Sequence, residues 1–261
     1  MAIAHEKQSV KYFAKSYIYP DGTMDIIASS SPDFGEKGWE NAEKYGFSTK
    51  YVEKKPKTKS TTGGDGGERS MRRAKAQLRR LALSNEFTHF VTLTLDQARV
   101  DRYDPEAIVK KLNAWCSNMV QRNGLKYILV PERHKDGALH FHGFFNGGAA
   151  LVDSGHKDRD GHVIYNLPQW RLGFSTAIAL YDDYHKAVGY VCKYIGKQGE
   201  KPAGRWYYSG GDLKQPEVFF FDTSPAELEE SYEGAFTFEV PFRKMTVVQN
   251  VPVQVQTEEE C

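Results

Sequence analysis

The sequence is short of cysteine, of net charge and of long apolar runs. Its three cysteines, Cys116, Cys192 and Cys261, form no CxxC spacing and are odd in number, so a reducing compartment is the simplest reading. No apolar stretch approaches membrane-spanning length, and the N-terminal residues carry no secretory apolar region. The expectation is a cytoplasmic protein with no membrane partner. The glycine cluster Gly63-Gly64-Asp65-Gly66-Gly67 lacks the GxxxxGK[ST] spacing and the preceding apolar strand of a phosphate-binding loop. The net charge of +1 conceals segregation. Residues 50–80 hold eleven Lys or Arg against three Asp or Glu, and residues 216–261 hold two against ten. A near-neutral pI of 7.7 therefore does not argue against a polyanionic partner.

What is present is 40% hydrophobic residues in 261, enough for a sizeable core. Residues 12–29 read as a hairpin around Pro20-Asp21-Gly22, within an N-terminal extension over 1–52. Residues 53–69, rich in Lys, Thr and Gly, read as a linker. Helical spacing of Met71, Ala74, Leu78 and Leu81 predicts a helix from about Ser70, with Arg72, Arg73, Arg79 and Arg80 on its other faces. Phe90 to Leu95 reads as a strand. A second helix is bounded by Asp104 as N-cap, Pro105 in the first turn and Gly124 as stop. Strands are predicted over 125–133, 138–145 and 173–180, a loop over 149–168, and a helix over 183–195. Late strands are predicted at Trp206-Tyr207-Tyr208 and Val218 to Phe221. The order predicts an α+β domain over 70–222, an antiparallel sheet with flanking helices in a ferredoxin-like or RRM-like arrangement. An acidic segment with a disordered tail is expected over 223–261.

His140 and His142 lie two apart on a strand, so both imidazoles face one side while Phe141 faces the core. Alone, an HxH pair is weak. The hairpin strengthens it. Lys135-Asp136-Gly137 suits a three-residue loop with glycine in the left-handed conformation. That loop sets Glu132 directly across from His140, so a carboxylate joins the two imidazoles. A two-residue loop would turn Glu132 to the opposite face.

On the predicted helix, at about 100° per residue, Tyr190, Tyr194, Lys193 and Lys186 fall on one side and Val188, Val191 and Ile195 on the other. A phenol, with a pKa of about 10, is a poor nucleophile unless its anion or its target is stabilised. A neighbouring ammonium and a metal on the phosphate would do so.

Phe90-Val91-Thr92-Leu93-Thr94, His140-Phe141-His142-Gly143 and Tyr190-Val191-Cys192-Lys193-Tyr194 together resemble the three motifs of HUH endonucleases, specifically the rolling-circle replication initiators of Gram-positive plasmids and phages. Pro131 to Gly137 and Gly173-Phe174-Ser175 also resemble that group. The resemblance covers about residues 70–215. It implies a site-specific nicking and joining enzyme for single-stranded origin DNA. In it Glu132, His140 and His142 hold Mn2+ or Mg2+, with two imidazoles favouring Mn2+. Tyr190 attacks to leave a 5′-phosphotyrosine and a free 3′-OH, Lys193 steadies the phosphate or phenolate, and Tyr194 is either a second nucleophile or structural. Arg72, Arg73, Arg79, Arg80, Arg133, Lys186, Lys197 and Arg205 would contact the DNA. With no Walker motif, helicase and polymerase would be separate proteins. A relaxase or transposase is the alternative within that class. A non-haem iron oxygenase shares the two-histidine, one-carboxylate set, and a non-catalytic RRM-like module shares the fold.

Overall fold

The structure, a computed structural model, describes residues 12–30, 65–181, 184–197, 199–240 and 243–253. In chain order the elements are β1 (Tyr12–Ile18), β2 (Thr23–Ser29), α1 (Asp65–Leu83), β3 (His89–Thr94), α2 (Pro105–Asn123), β4 (Lys126–Arg133) and β5 (Leu139–Asn146). There follow β6 (Val152–Lys157), β7 (Val163–Asn166), β8 (Ser175–Ala179), α3 (Tyr184–Tyr194) and β9 (Tyr208–Gly210). The chain closes with β10 (Glu217–Thr223), α4 (Pro225–Ser231), β11 (Phe236–Val240) and β12 (Arg243–Pro252). Two compact units result, one from residues 62–215 and one from 1–61 with 216–261. The fold class is α+β, with both sheets antiparallel throughout.

The larger unit carries the seven-stranded sheet β6-β7-β8-β3-β5-β4-β9. One face is apolar. Val91, Leu93, Leu129, Phe141, Phe145 and Ala177 pack there against Ile108, Leu112, Cys116 and Met119 of α2. That helix forms where the sequence directs. Asp104 accepts from the backbone N–H groups of Glu106 (2.9 Å) and Ala107 (3.2 Å). Pro105 opens the first turn, and Gly124 closes the helix at φ 69. The opposite face is shared between α3, whose Val188 and Val191 are buried, and the candidate site.

Three sequence expectations differ from the structure. The first helix begins at Asp65 rather than Ser70, so the last five residues of the expected linker are helical. A Glu68–Arg72 ion pair, 2.9 Å and four residues apart, favours that extra turn despite the glycines. Residues 53–64 of that linker lie outside the described residues. The expected loop over 149–168 contains β6 and β7, an antiparallel pair closed by Asp158, whose side chain accepts from the backbone of Asp160 and His162. Its first strand is almost wholly exposed, so it has no apolar alternation to betray it. Third, Val218 to Phe221 do form a strand, but β10 pairs with β1, outside the larger sheet.

The smaller unit holds the sheet β10-β1-β2-β12-β11. The expected hairpin is present, with Asp21 capping Thr23 and Gly22 at φ 79. The segment expected as an acidic tail instead supplies α4, β11 and β12, with a Ser224–Glu227 capping box on α4. Residues 254–261 lie outside the described set. Tyr12, Ala14, Met24, Ile26 and Ala28 pack with Leu228, Val248 and Val251.

Candidate functional site

The β4–β5 hairpin builds the site. Its loop is the three-residue one: His134 N–H donates to Ala138 O at 2.8 Å, and Gly137 sits at φ 88. Glu132 therefore pairs with His140. Strand β3 adds the other wall, with Thr92 opposite His142 and Thr94 opposite His140. Gly143 follows the second histidine because a Cβ there would lie 1.8 Å from the carbonyl oxygen of Ile128.

Nε2 of His140 and Nε2 of His142 lie 3.1 and 3.0 Å from the same carboxylate oxygen, Oε2 of Glu132. Glu132 and His140 are buried and His142 nearly so. Lys197 reaches the other carboxylate oxygen, Oε1. Burial opposes charge on Glu132, but Lys197, His140 and His142 outweigh it and hold the carboxyl below the usual carboxylate range. Burial lowers both histidines, His142 down to about 4 with His140 adding to the effect. Both rings are thus neutral at pH 7, as metal ligands must be. Thr92 Oγ1 lies 3.1 Å from Nδ1 of His142 and fixes that ring, leaving Nε2 turned to the carboxylate. Three donor atoms within 4.8 Å of one another fit a divalent cation.

The tyrosines hang over this cluster. The Tyr194 ring stacks on His142 with centroids 4.2 Å apart and planes at 14°. Its hydroxyl donates to the Tyr190 hydroxyl at 2.7 Å. Burial and then the Tyr190 bond push the Tyr194 phenol up, so it stays protonated and a donor. Tyr190 is 50% exposed and leans on Phe90.

Of the cations expected on DNA, several have other work. Lys197 is engaged by Glu132, while Lys193 stays exposed on α3. Arg133 donates to the carbonyls of Gly137 and Pro202, tying the 197–206 segment to the hairpin. Arg72 and Lys186 are exposed, Arg79 is half-buried near the Cys192 thiol, and Arg80 bonds Ala76 O. Arg73 and Arg205 line a cavity of about 450 Å3, together with Arg69, Lys201 and Tyr207. Tyr208 is buried in the core. Sequence reasoning missed Thr92 as a partner of His142 and Lys197 as the partner of Glu132; both depend on pairings distant along the chain. A second trio, Asp158, Asp160 and His162, is knit by its own turn bonds.

Fold and site together define an α+β protein with a histidine–carboxylate centre beside a tyrosine pair. Residues 88–199 match the family model of the replication-associated proteins, which covers ORF2 and the gene-two protein, and this supports a replication initiator. The matched span includes Glu132, His140, His142, Tyr190, Tyr194 and Lys197. No curated protein and no solved structure matches the chain. Among the described residues no helix is long and apolar enough to cross a membrane.

Proposed function

We propose that the protein is an HUH-type initiator that nicks and rejoins single-stranded origin DNA of a plasmid or phage, with Tyr190 as nucleophile. The observation that carries this reading is the junction of the two halves: Tyr194 stacks on a triad histidine and donates to Tyr190, within the matched segment. Mn2+ or Mg2+ on Glu132, His140 and His142 would supply Lewis-acid polarisation of the phosphodiester. The chain's own residues do the rest. Tyr194 Oη–H stabilises negative charge growing on the Tyr190 oxygen. That oxygen forms a bond to phosphorus as the bond from phosphorus to O3′ breaks. The phenol proton leaves to solvent and the departing O3′ takes one up, giving a 5′-phosphotyrosine and a 3′-OH. One phosphodiester is exchanged for another, so the reverse attack rejoins the strand. Lys197 holds Glu132 in place, and Lys193 is free to meet a phosphate. Arg73, Lys201 and Arg205 offer cationic contacts to the backbone, and helicase and polymerase are supplied in trans.

The test incubates the protein with its origin single strand and Mn2+ and looks for a covalent adduct on a denaturing gel. Tyr190→Phe should abolish the adduct while Tyr194→Phe weakens it. The His140→Ala, His142→Ala double variant should lose both cleavage and Mn2+ binding. An unchanged adduct in Tyr190→Phe assigns the nucleophile elsewhere, and full activity in the double variant refutes the metal reading.

A further inference from the structure

The strand registers place four side chains in one row across the sheet. Leu93 pairs with Ser175, and one step further Thr94 N–H donates to Phe174 O at 2.8 Å. Thr94 pairs with His140, and His140 with Glu132. Residues directly opposite in an antiparallel pair share a face. Phe174, Thr94, His140 and Glu132 therefore lie side by side on the face that bears the triad. The neighbouring row is Thr176, Thr92, His142 and Val130.

The two ends of these rows differ. At the β4–β5 end Glu132, His140 and Val130 are buried. At the β8 end Phe174 and Thr176 are open, Phe174 at 73%, the most exposed large hydrophobic side chain among the described residues. Its backbone is nevertheless fixed on both sides. Gly173 lies so close to β3 that a Cβ would come within 2.2 Å of Thr94 O. Ser175 is buried, and its hydroxyl accepts from Leu167 N–H at 2.9 Å. A rigid backbone thus presents a bare phenyl ring on the open strip that leads to the triad. With strands about 4.8 Å apart, Phe174 stands roughly 10 Å from His140, a reach of one or two nucleotides.

We propose that Phe174 is the stacking platform for a nucleobase of the single strand whose phosphodiester sits at the triad. This rests on the nicking reading above and adds the ligand contact that positions the strand. A phenyl ring stacks any base, so the contact fixes placement without reading sequence. The open β8–β3 strip is then the floor on which the strand lies, and Thr176 borders it.

The experiment uses the full chain and a dT20 oligonucleotide carrying 5-iodo-deoxyuridine, irradiated with long-wavelength ultraviolet light. Mass spectrometry of the digested product should find the cross-link on the peptide containing Phe174. Phe174→Ala should weaken dT20 binding about 5- to 150-fold, while Phe174→Trp retains it and neither changes the melting temperature. Cross-links confined to other peptides, together with wild-type binding by Phe174→Ala, overturn the proposal. The adduct assay separates the two readings. Wild-type protein that forms the Tyr190 adduct but shows no Phe174 dependence sinks the platform alone. A Phe174 cross-link without any adduct supports the platform and sinks the nicking reading. A chain that does not bind dT20 at all refutes the platform.

Discussion

Replacing Gly143 by alanine perturbs the hairpin that carries the site, and its effect can be worked from distances. The new Cβ would stand 1.8 Å from Ile128 O, 2.8 Å from Ile128 C and 3.0 Å from Leu129 Cα. An ordinary carbon–oxygen contact needs about 3.3 Å, so β4 must retreat by roughly 1.5 Å. A retreat of that size breaks the two ladder hydrogen bonds nearest the Leu129–Gly143 pair, at about 1 kcal/mol each. Overpacking adds about 1–3 kcal/mol. The sum, about 3–5 kcal/mol, should lower the melting temperature by roughly 6–20 °C for a unit of this size. The same movement separates Glu132 from His142, so Mn2+ affinity by calorimetry should fall at least about tenfold. Gly137→Ala in the same hairpin is the control. Its Cβ would have 3.8 Å of room, and only the positive φ resists it, at about 1–2 kcal/mol. Equal melting temperatures and equal Mn2+ affinities for Gly143→Ala and the wild type would refute the reasoning.

Deleting Asp136 should shorten the loop to two residues and flip Glu132 to the opposite face; Mn2+ binding should vanish, and its survival would show that the register is not set by the loop. Asp104→Ala removes the α2 cap and should cost about 1 kcal/mol; differential scanning calorimetry should show a melting point lower by roughly 2–4 °C. Burial pushes the Cys116 thiol from 9.0 up to about 12. The fold thus favours the neutral thiol, and its contribution to stability is present below pH 9 and lost as pH rises towards 12. Iodoacetamide at about pH 8, below the ordinary thiol pKa, should spare Cys116 until the chain is unfolded, and rapid labelling of the native protein would contradict the burial.

The parts of this structure that were legible in the sequence are those fixed by neighbours. Asp104, Pro105 and Gly124 bound α2 through local hydrogen bonds and φ. Lys135-Asp136-Gly137 sets a register that carries Glu132 to His140, eight residues away. The illegible parts depend on distant partners. Lys197 reaches Glu132 across sixty-five residues, and its sequence neighbourhood shows only a surface lysine. β6 is a polar edge strand whose existence depends on β7 alongside. The assignment of β10 to β1 joins strands that no local pattern relates, so Val218 to Phe221 looked like one more strand of the larger sheet.

The position of β1 and β2 has a consequence for synthesis. In the finished sheet they lie between β10 and β12. The ribosome makes the hairpin early and its flanking strands only after residues 62–215 have emerged. At about 5–20 residues per second the hairpin waits roughly ten to forty seconds with both edges bare. The larger unit needs nothing from the smaller sheet's late strands, so it is free to fold first. Protease added to ribosomes stalled just past residue 216 should cut within residues 12–29 while sparing the 65–215 span. Protection of the hairpin at that stage would mean that something else covers its edges until β10 and β12 arrive.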